Sequence, residues 1–241
     1  MIKLSIIIPV FNEFKTIEKV IKRVSNVPLK DIKKEIIVID DCSTDGTEDI
    51  LKKISGKYKF IHLVNNVNKG KGYSVRLGLK YASGDILMIQ DADLEYDIGE
   101  YPDLIEPIIK NRTSFVLGSR HLQKGAWKMR QFLDSKYYAK ILNVGSMFYS
   151  KLFSFVYQVN LTDPGTMYKI FRKECLNDIK LKSDFFDIDW ELAAKIIKKG
   201  YKPLEIPISY QSRSPKEGKK IKLGRDGLLI LGAILRYKFF N

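Results

Sequence analysis

The stretch Leu4-Ser5-Ile6-Ile7-Ile8-Pro9-Val10-Phe11-Asn12-Glu13 decides the fold. An apolar run of strand length broken only by Ser5 does not alternate, as a strand buried on both faces of a parallel sheet does not, and it stops abruptly at polar Asn12 and Glu13. Working outward, a stretch at helical period runs from about Thr16 to Val24. Strands Glu35 to Asp40, Lys59 to Val64 and Asp85 to Gln90 follow, separated by helices at about Thr47 to Ser55 and Gly72 to Ala82, and Phe115 to Ser119 reads as a fifth strand. The alternation predicts an α/β chain with a doubly wound sheet. Beyond residue 120 the order loosens. Lys124 to Gln131 reads as a basic loop, Tyr137 to Val156 as a long aromatic-rich amphipathic helix, Tyr168 to Phe171 as a short strand and Asp189 to Lys199 as a helix. Ile206 to Tyr210 reads as a strand, Arg213 to Lys222 as a mobile basic loop, and Gly224 to Phe240 as an amphipathic helix that could lie on a membrane without crossing it.

The chain has 241 residues, 45% hydrophobic and 29% charged, a globular composition that excludes whole-chain disorder. Its net charge of +14 directs attention to phosphates, nucleic acid or an anionic membrane surface. The excess is uneven. Residues 1 to 120 carry 19 basic and 17 acidic side chains, whereas residues 121 to 241 carry 23 and 11. Two cysteines, Cys42 and Cys175, form no CxxC and no disulfide framework, which fits a reducing compartment. The N-terminal apolar run is too short for a signal-peptide core, and no window reaches the roughly 20 apolar residues of a membrane span. A cytoplasmic location is expected.

Ligands of doubly wound sheets sit beyond the carboxyl ends of the strands, and four such ends are polar here. Asp91-Ala92-Asp93 directly follows an apolar strand, so its two carboxylates could share a hard divalent cation with a diphosphate, with Glu95 as a third oxygen donor; the competing reading is an Asp-capped turn. In Asp40-Asp41-Cys42-Ser43-Thr44-Asp45-Gly46-Thr47, Asp45 to Thr47 suit a helix cap, while Asp40 or Asp41 could accept hydrogen bonds from a base or ribose. Asn68-Lys69-Gly70-Lys71-Gly72 suits an anion at a helix N-terminus, but it matches neither common phosphate-loop pattern, and a plain Gly-rich helix start competes. His62 and His121 lie in or beside strands and support no hydrolytic triad.

Together with Leu117-Gly118-Ser119-Arg120, Asp163-Pro164-Gly165-Thr166-Met167-Tyr168-Lys169 and Gly200 to Ile208, these motifs resemble family 2 glycosyltransferases of the GT-A fold, in particular the dolichyl-phosphate mannose or glucose synthase group. The resemblance covers about residues 4 to 236. It implies a mixed, mostly parallel Rossmann-like sheet, with a catalytic domain over 1–223, a nucleotide-binding half at 1–120, an acceptor-binding half at 121–223, and an amphipathic, membrane-interfacial helix at 224–241. It further implies an inverting transfer of a hexose from a GDP-mannose or UDP-glucose type donor to a polyprenyl or dolichyl phosphate. Pro9, Phe11, Glu13, Asp40 or Asp41, Lys69, Gly70, Gln90 and Ala92 would then line the donor site, Asp91 and Asp93 would bind Mg2+ or Mn2+ with Glu95 as a further ligand, and Arg120, Arg130, Arg213 and Lys219 would grip acceptor phosphate. Asp91, Asp93, Arg120 and Arg213 would carry the chemistry. Membrane contact, peripheral and at the cytoplasmic face, would come from the two amphipathic helices or from a membrane partner subunit.

Charge alone supports the same chemistry. A leaving diphosphate needs a divalent cation or a basic clamp, and a phosphate monoester with a second ionisation near pH ~6 is already a nucleophile, so it needs no base. The nine basic against two acidic residues between Lys195 and Lys222 suit such a site. A sugar hydroxyl acceptor would instead need Asp163, Asp187 or Asp189 as a base. The basic residues show no aromatic-interleaved stripe or reading motif, so a nucleic-acid partner is not expected.

Overall fold

A computed structural model describes residues 1–122, 130–132, 136–214, 218 and 223–240. Seven strands form one sheet in the order β3-β2-β1-β4-β6-β5-β7. They are β1 (Ile2–Val10), β2 (Ile32–Asp40), β3 (Ile61–Val64), β4 (Ile86–Ile89), β5 (Phe115–Ser119), β6 (Lys169–Arg172) and β7 (Leu204–Pro207). All neighbouring pairs are parallel except those of β6, which runs antiparallel to both β4 and β5. The mixed, mostly parallel sheet is the expected one. β1 pairs with β2 over nine residues, from Ile2 opposite Ile32 to Val10 opposite Asp40, so β2 begins three residues before the expected Glu35. Its neighbours on both edges explain why Leu4 to Val10 is buried throughout.

The helices are α1 (Ile17–Asn26), α2 (Thr47–Ile54), α3 (Lys71–Tyr81), α4 (Tyr101–Ile109), α5 (Lys136–Tyr157), α6 (Ile188–Lys198) and α7 (Leu223–Phe239). In α1 the buried residues Ile17, Val20, Ile21 and Val24 repeat at the spacing of one helical face, which packs on the sheet. The sequence reading places no helix between β4 and β5, yet α4 forms there with Pro102 in its first turn and Pro107 inside it. Pro102 falls in the first turn, where a missing N–H breaks no bond, and the apolar Leu104, Ile105 and Ile108 supply the buried face. β7 also differs from expectation. It starts at Leu204 and its ladder with β5 ends at Pro207; Tyr210, expected within the strand, instead bridges to Tyr96. The chain after β7 thus leaves the sheet edge and crosses toward the end of β4.

Helices α5 and α7 pack on each other beyond the sheet. Tyr149 and Tyr157 of α5 donate to the Gly227 and Ile234 carbonyls of α7 at 3.1 Å each, and Tyr237 is hydrogen-bonded to Ser183 before α6. Their outer faces leave Tyr137, Val144, Phe148 and Phe155 of α5, and Leu228 and Phe239 of α7, exposed. Among the described residues no helix is long and apolar enough to cross a membrane.

The glycine at 78 sets how closely α3, and with it the helix start at the strand ends, approaches the sheet. A Cβ there would lie 2.5 Å from Ile7 Cγ2 and 2.7 Å from Ile39 Cδ1. Gly78→Ala overpacks this contact at a typical cost of ~1–3 kcal/mol, which exceeds the ~1 kcal/mol gained in helix propensity. Equilibrium urea unfolding is expected to show a lower midpoint at unchanged slope. At the opposite end of the sheet, burial raises the Glu35 carboxyl, but hydrogen bonds from Lys3, Ser5 and Ser83 outweigh it and hold the group down to about 2. A group depressed on folding stabilises the fold above its unfolded pKa, so this contribution is full above about pH 4.5 and is lost as pH falls toward 2. Glu35→Gln should flatten the acid limb of stability against pH over that window.

Candidate active site

A cleft of about 770 Å³ opens at the carboxyl ends of β1, β2 and β4 and extends between α5 and α7. Its floor is acidic. Glu13 follows β1, Asp41 follows β2, Asp91, Asp93 and Glu95 follow β4, and Asp189 stands in the first turn of α6. Its other arm is mostly apolar, with Ile141, Leu142, Gly145 and Tyr149 of α5 and Ile230 of α7, alongside Ser146 of α5 and Arg225 of α7.

The carboxylates are held in different ways. Asp41 accepts from the Lys69 and Gly70 backbone N–H at 2.9 and 2.7 Å and from the Asn65 side chain at 2.7 Å. The next free donors of α3, Gly72 and Tyr73, both point at the Asp184 carbonyl. The Gly-rich start of α3 therefore binds its own chain's oxygens, and the plain helix-start reading of Asn68 to Gly72 is the one realised. Gly70 is required there: its φ is +95°, and a Cβ would meet the Asp184 carbonyl at 2.3 Å. Asp40 is fully buried beneath the cleft and accepts from Ser43 N at 2.9 Å. Gln90 is likewise buried, donating to Asp91 O at 2.8 Å and accepting from Tyr101 OH at 2.7 Å. Asp45 accepts from Thr47 N at 3.0 Å in an Asx turn just ahead of α2, whose N-cap position is taken by Gly46 with no side-chain cap bond.

Asp93 forms the turn weighed for it and also faces a cation of the chain. One oxygen accepts from Glu95 N at 3.1 Å, closing a turn at Leu94, whose φ is +62°; the other lies 3.3 Å from Arg213. Burial, then Asp91, then Glu95 push the Asp93 carboxyl up to about 7, against the pull of Arg213. Arg213 grips Glu13 with two bonds of 3.0 Å, and its backbone N–H donates to Glu95 at 2.9 Å. Tyr210 donates to the second oxygen of Glu95, so the carboxylate expected as a third metal ligand fastens the 210–213 segment. Lys71 lies 3.0 Å from Asp91 and 3.5 Å from Asp189. These carboxylates together raise its pKa despite burial.

The hard carboxylate oxygens of Asp91 and Asp93 suit a divalent cation. No three His, Cys, Asp or Glu side chains converge into a metal cage among the described residues. Mg2+ commonly takes one or two carboxylates and completes its shell with water and substrate phosphates, which Asp91 and Asp93 fit.

Arg120 is locked: Nε and one terminal nitrogen donate to the two Asp163 oxygens at 2.7 and 2.8 Å, and its backbone N–H adds a third bond at 3.0 Å. Burial raises the Asp163 carboxyl, but Arg120 outweighs it and holds the group below the usual range. The guanidinium also lies 5.1 Å from the Tyr210 ring. Arg130 is buried on the cleft wall, donates to Leu142 O at 3.3 Å, and has no partner for Nε. Asp187 accepts from Phe185 N at 3.2 Å and does not border the cleft. Lys219 and most of the Lys124–Gln131 and Arg213–Lys222 loops lie outside the described residues.

Of the residues expected at the donor site, Pro9, Phe11, Glu13, Asp41, Gly70, Asp91, Ala92 and Asp93 border the cleft, as do Glu95, Arg120, Arg130 and Arg213; Asp40, Lys69 and Gln90 do not. Lys69 instead lies over the Tyr73 ring at 4.4 Å, and its neighbour Lys71 faces the acids. Sequence reasoning also missed the aromatic wall of Tyr149, Phe185, Phe186 and Trp190. Trp190 packs so closely that a Cβ on Gly165 would meet it at 2.5 Å. The only sequence signal was the aromatic density of Phe185 to Trp190.

The sheet order and cleft define a GT-A fold. Glucosyl-3-phosphoglycerate synthase from Mycobacterium tuberculosis, solved with Mg2+ and uridine diphosphate, superposes with a TM-score of 0.72 at 18% identity, over all of this chain and 80% of that one. Residues 5–180 match the glycosyl transferase family 2 model, and the chain belongs to that family. It is 31% identical over 218 residues to a dolichol-phosphate mannosyltransferase of Pyrococcus furiosus, and 25% identical over 232 residues to glycosyltransferase AglJ of Haloferax volcanii. These alignments cover 90% and 96% of this chain but 59% and 70% of those proteins.

Removing Asp163 leaves the Arg120 guanidinium buried without its counter-charge. Breaking such a pair costs about 3–5 kcal/mol, so Asp163→Ala should unfold at clearly lower urea, whereas loss of the exposed Glu48–Lys52 pair by Glu48→Ala should shift the midpoint little.

Proposed function

We propose that this family 2 glycosyltransferase is an inverting, metal-dependent enzyme that moves a hexose from a nucleotide sugar of GDP-mannose or UDP-glucose type to a polyprenyl phosphate. The observation that carries this reading is the meeting, on the wall of one cleft, of the acidic strand ends with three arginines, Arg120, Arg130 and Arg213, which suits a metal-bound diphosphate beside an anionic acceptor. Of the three carboxylates that could serve a hydroxyl acceptor as base, Asp163 is tied to Arg120 and Asp187 does not border the cleft, while Asp189, 3.5 Å from Lys71 through one oxygen, keeps the other buried without a partner. An acceptor that arrives already ionised needs no base, whereas a sugar hydroxyl, which must lose a proton, would need Asp189.

The chemistry follows from charge. An acceptor phosphate oxygen forms the new bond to the anomeric carbon on the face opposite the nucleoside diphosphate, whose bond to that carbon breaks, so configuration inverts and no proton is transferred. A divalent cation held by Asp91 and Asp93 would neutralise charge developing on the leaving diphosphate. Pro9, Phe11 and Glu13 would border the nucleoside, Arg213 would grip phosphate from the strap above Glu13, and Arg120 and Arg130 would offset the repulsion between two phosphates brought together. The apolar arm between α5 and α7 suits the first isoprene units. Similarity to the Pyrococcus dolichol-phosphate mannosyltransferase and the Mg2+ and Mn2+ complexes of the mycobacterial fold neighbour support the acceptor and the metal. The exposed apolar side chains of α5 and α7, with Lys136, Lys140, Arg236 and Lys238 on the same helices, suit peripheral contact at the cytoplasmic membrane face.

The test is transfer from GDP-mannose and UDP-glucose, with Mg2+ or Mn2+, in the presence and absence of a short polyprenyl phosphate. Lipid-dependent turnover of one donor is expected, lost by a factor of about 10²–10³ in Asp93→Ala. Donor hydrolysis indifferent to the lipid would move the acceptor to a glycan, and full activity of Asp93→Ala in the presence of chelator would remove the metal from the mechanism.

A further inference from the structure

Lys71 stands in the first turn of α3, and its side chain is 14% exposed. Its ammonium contacts Asp91 at 3.0 Å and Asp189 at 3.5 Å, and it lies 5.4 Å from the Phe186 ring. Two residues along from Asp91, Asp93 faces a second protein cation. Arg213 reaches it at 3.3 Å while holding Glu13 by two bonds. The two acids of Asp91-Ala92-Asp93 are therefore each matched by their own positive group, and the two groups come from separate segments, one on α3 and one on the strap after β7.

A divalent cation that takes Asp91 and Asp93 competes with both groups for the same oxygens. An ammonium or guanidinium largely shielded from water leaves a carboxylate only where another anion accepts its hydrogen bonds. A diphosphate is such an anion, rich in acceptor oxygens. We propose that Lys71 and Arg213 are resident counter-ions of the Asp91–Asp93 pair, displaced onto diphosphate oxygens when nucleotide and divalent cation enter together, so that the two ligands bind with positive coupling. This rests on the reading of Asp91 and Asp93 as the cation-holding residues. Lys71 is then a further donor-site residue, with a role distinct from that of Lys69, whose ammonium lies against Tyr73. Coupling between two ligands is reciprocal, so the factor by which a nucleoside diphosphate tightens the cation must equal the factor by which the cation tightens the diphosphate.

The experiment is calorimetric titration of the full chain with Mn2+, alone and in the presence of saturating GDP or UDP, for the natural protein and for Lys71→Met, Lys71→Arg, Arg213→Met and Asp93→Asn. The natural protein should bind Mn2+ weakly alone and at least ~10-fold more tightly with whichever diphosphate binds, a coupling of about 1.4 kcal/mol. Lys71→Met should bind Mn2+ alone about 5-fold or more tightly than the natural protein, with a coupling factor falling toward one. Lys71→Arg keeps the counter-ion and should keep the natural pattern. Arg213→Met should move in the same direction as Lys71→Met through the other acid, and it carries the test if Lys71→Met fails to fold by circular dichroism. Mn2+ binding to both methionine variants no tighter than to the natural protein, with coupling intact, overturns the proposal. Unchanged Mn2+ binding by Asp93→Asn overturns instead the reading of the cation site on which it rests.

Discussion

Carboxylates kept out of water require positive partners, and this constraint organises the molecule around the carboxyl edge of its sheet. Glu13, Asp91, Asp93, Glu95 and Asp189 converge there because β1 and β4 are neighbours in one parallel register and α6 packs against α3 beside them. The sheet alone would leave an unscreened cluster. The positive groups that answer it come from elsewhere in the chain: Lys71 from α3, Lys169 from the start of β6, Arg213 from the segment after β7. β6 makes this geometry available. Running against its neighbours, it brings its first residue rather than its last to the cleft side, and so places Lys169 beside Asp189. Burial lowers the Lys169 ammonium to about 8 in spite of that carboxylate and Asp163.

The same accounting changes the meaning of the basic second half. Its charge excess suggests a surface for phosphate or membrane, yet several of its cations are internal. Lys195 pairs with fully buried Glu191 at 2.7 Å, and Lys169 is itself fully buried beside Asp189. Composition counts a buried, paired lysine and a free surface lysine alike, so the count of basic residues overstates the positive surface by the number of such pairs, although each pair leaves the net charge unchanged.

What the sequence made legible follows from how local each signal is. β1 could be read because a strand buried on both faces carries its evidence in consecutive residues, and Asp91-Ala92-Asp93 could be placed because a strand end is a local event. Helix α4 could not, since Pro102 and Pro107 carry a breaking signal; Pro102 is harmless in the first turn, and the buried face of Leu104, Ile105 and Ile108 holds the helix despite Pro107 inside it. The direction of β6 depends on which strands it joins, and no four-residue run encodes that. In Asn68-Lys69-Gly70-Lys71-Gly72 two lysines two apart look equivalent, and only the entry angle of α3, set by Gly70 and the Asp184 carbonyl, turns Lys71 to the acids and Lys69 to Tyr73. Glu95 is the sharpest case. Its spacing from Asp93 suggests a third metal ligand, while its oxygens take the Tyr210 hydroxyl and the Arg213 backbone, partners more than a hundred residues away.

That long-range attachment ties the two ends of the cleft together. The segment from Tyr210 to Arg213 is fastened by Glu95 below and meets the Tyr96 and Arg120 side chains through Tyr210. Arg120 is in turn fixed by Asp163, whose backbone N–H is held by Glu205 of β7 at 2.8 Å. A continuous chain of charged and aromatic contacts thus runs from the acid-lined floor to the edge strand. A displacement of the Arg213 strap would pull on Glu95 and on the Tyr210 ring that covers Arg120, so the groups assigned to the leaving diphosphate and to the acceptor phosphate share one mechanical support. In the proposed transfer, which would bring two anions together, this shared support would link the cations that offset their repulsion.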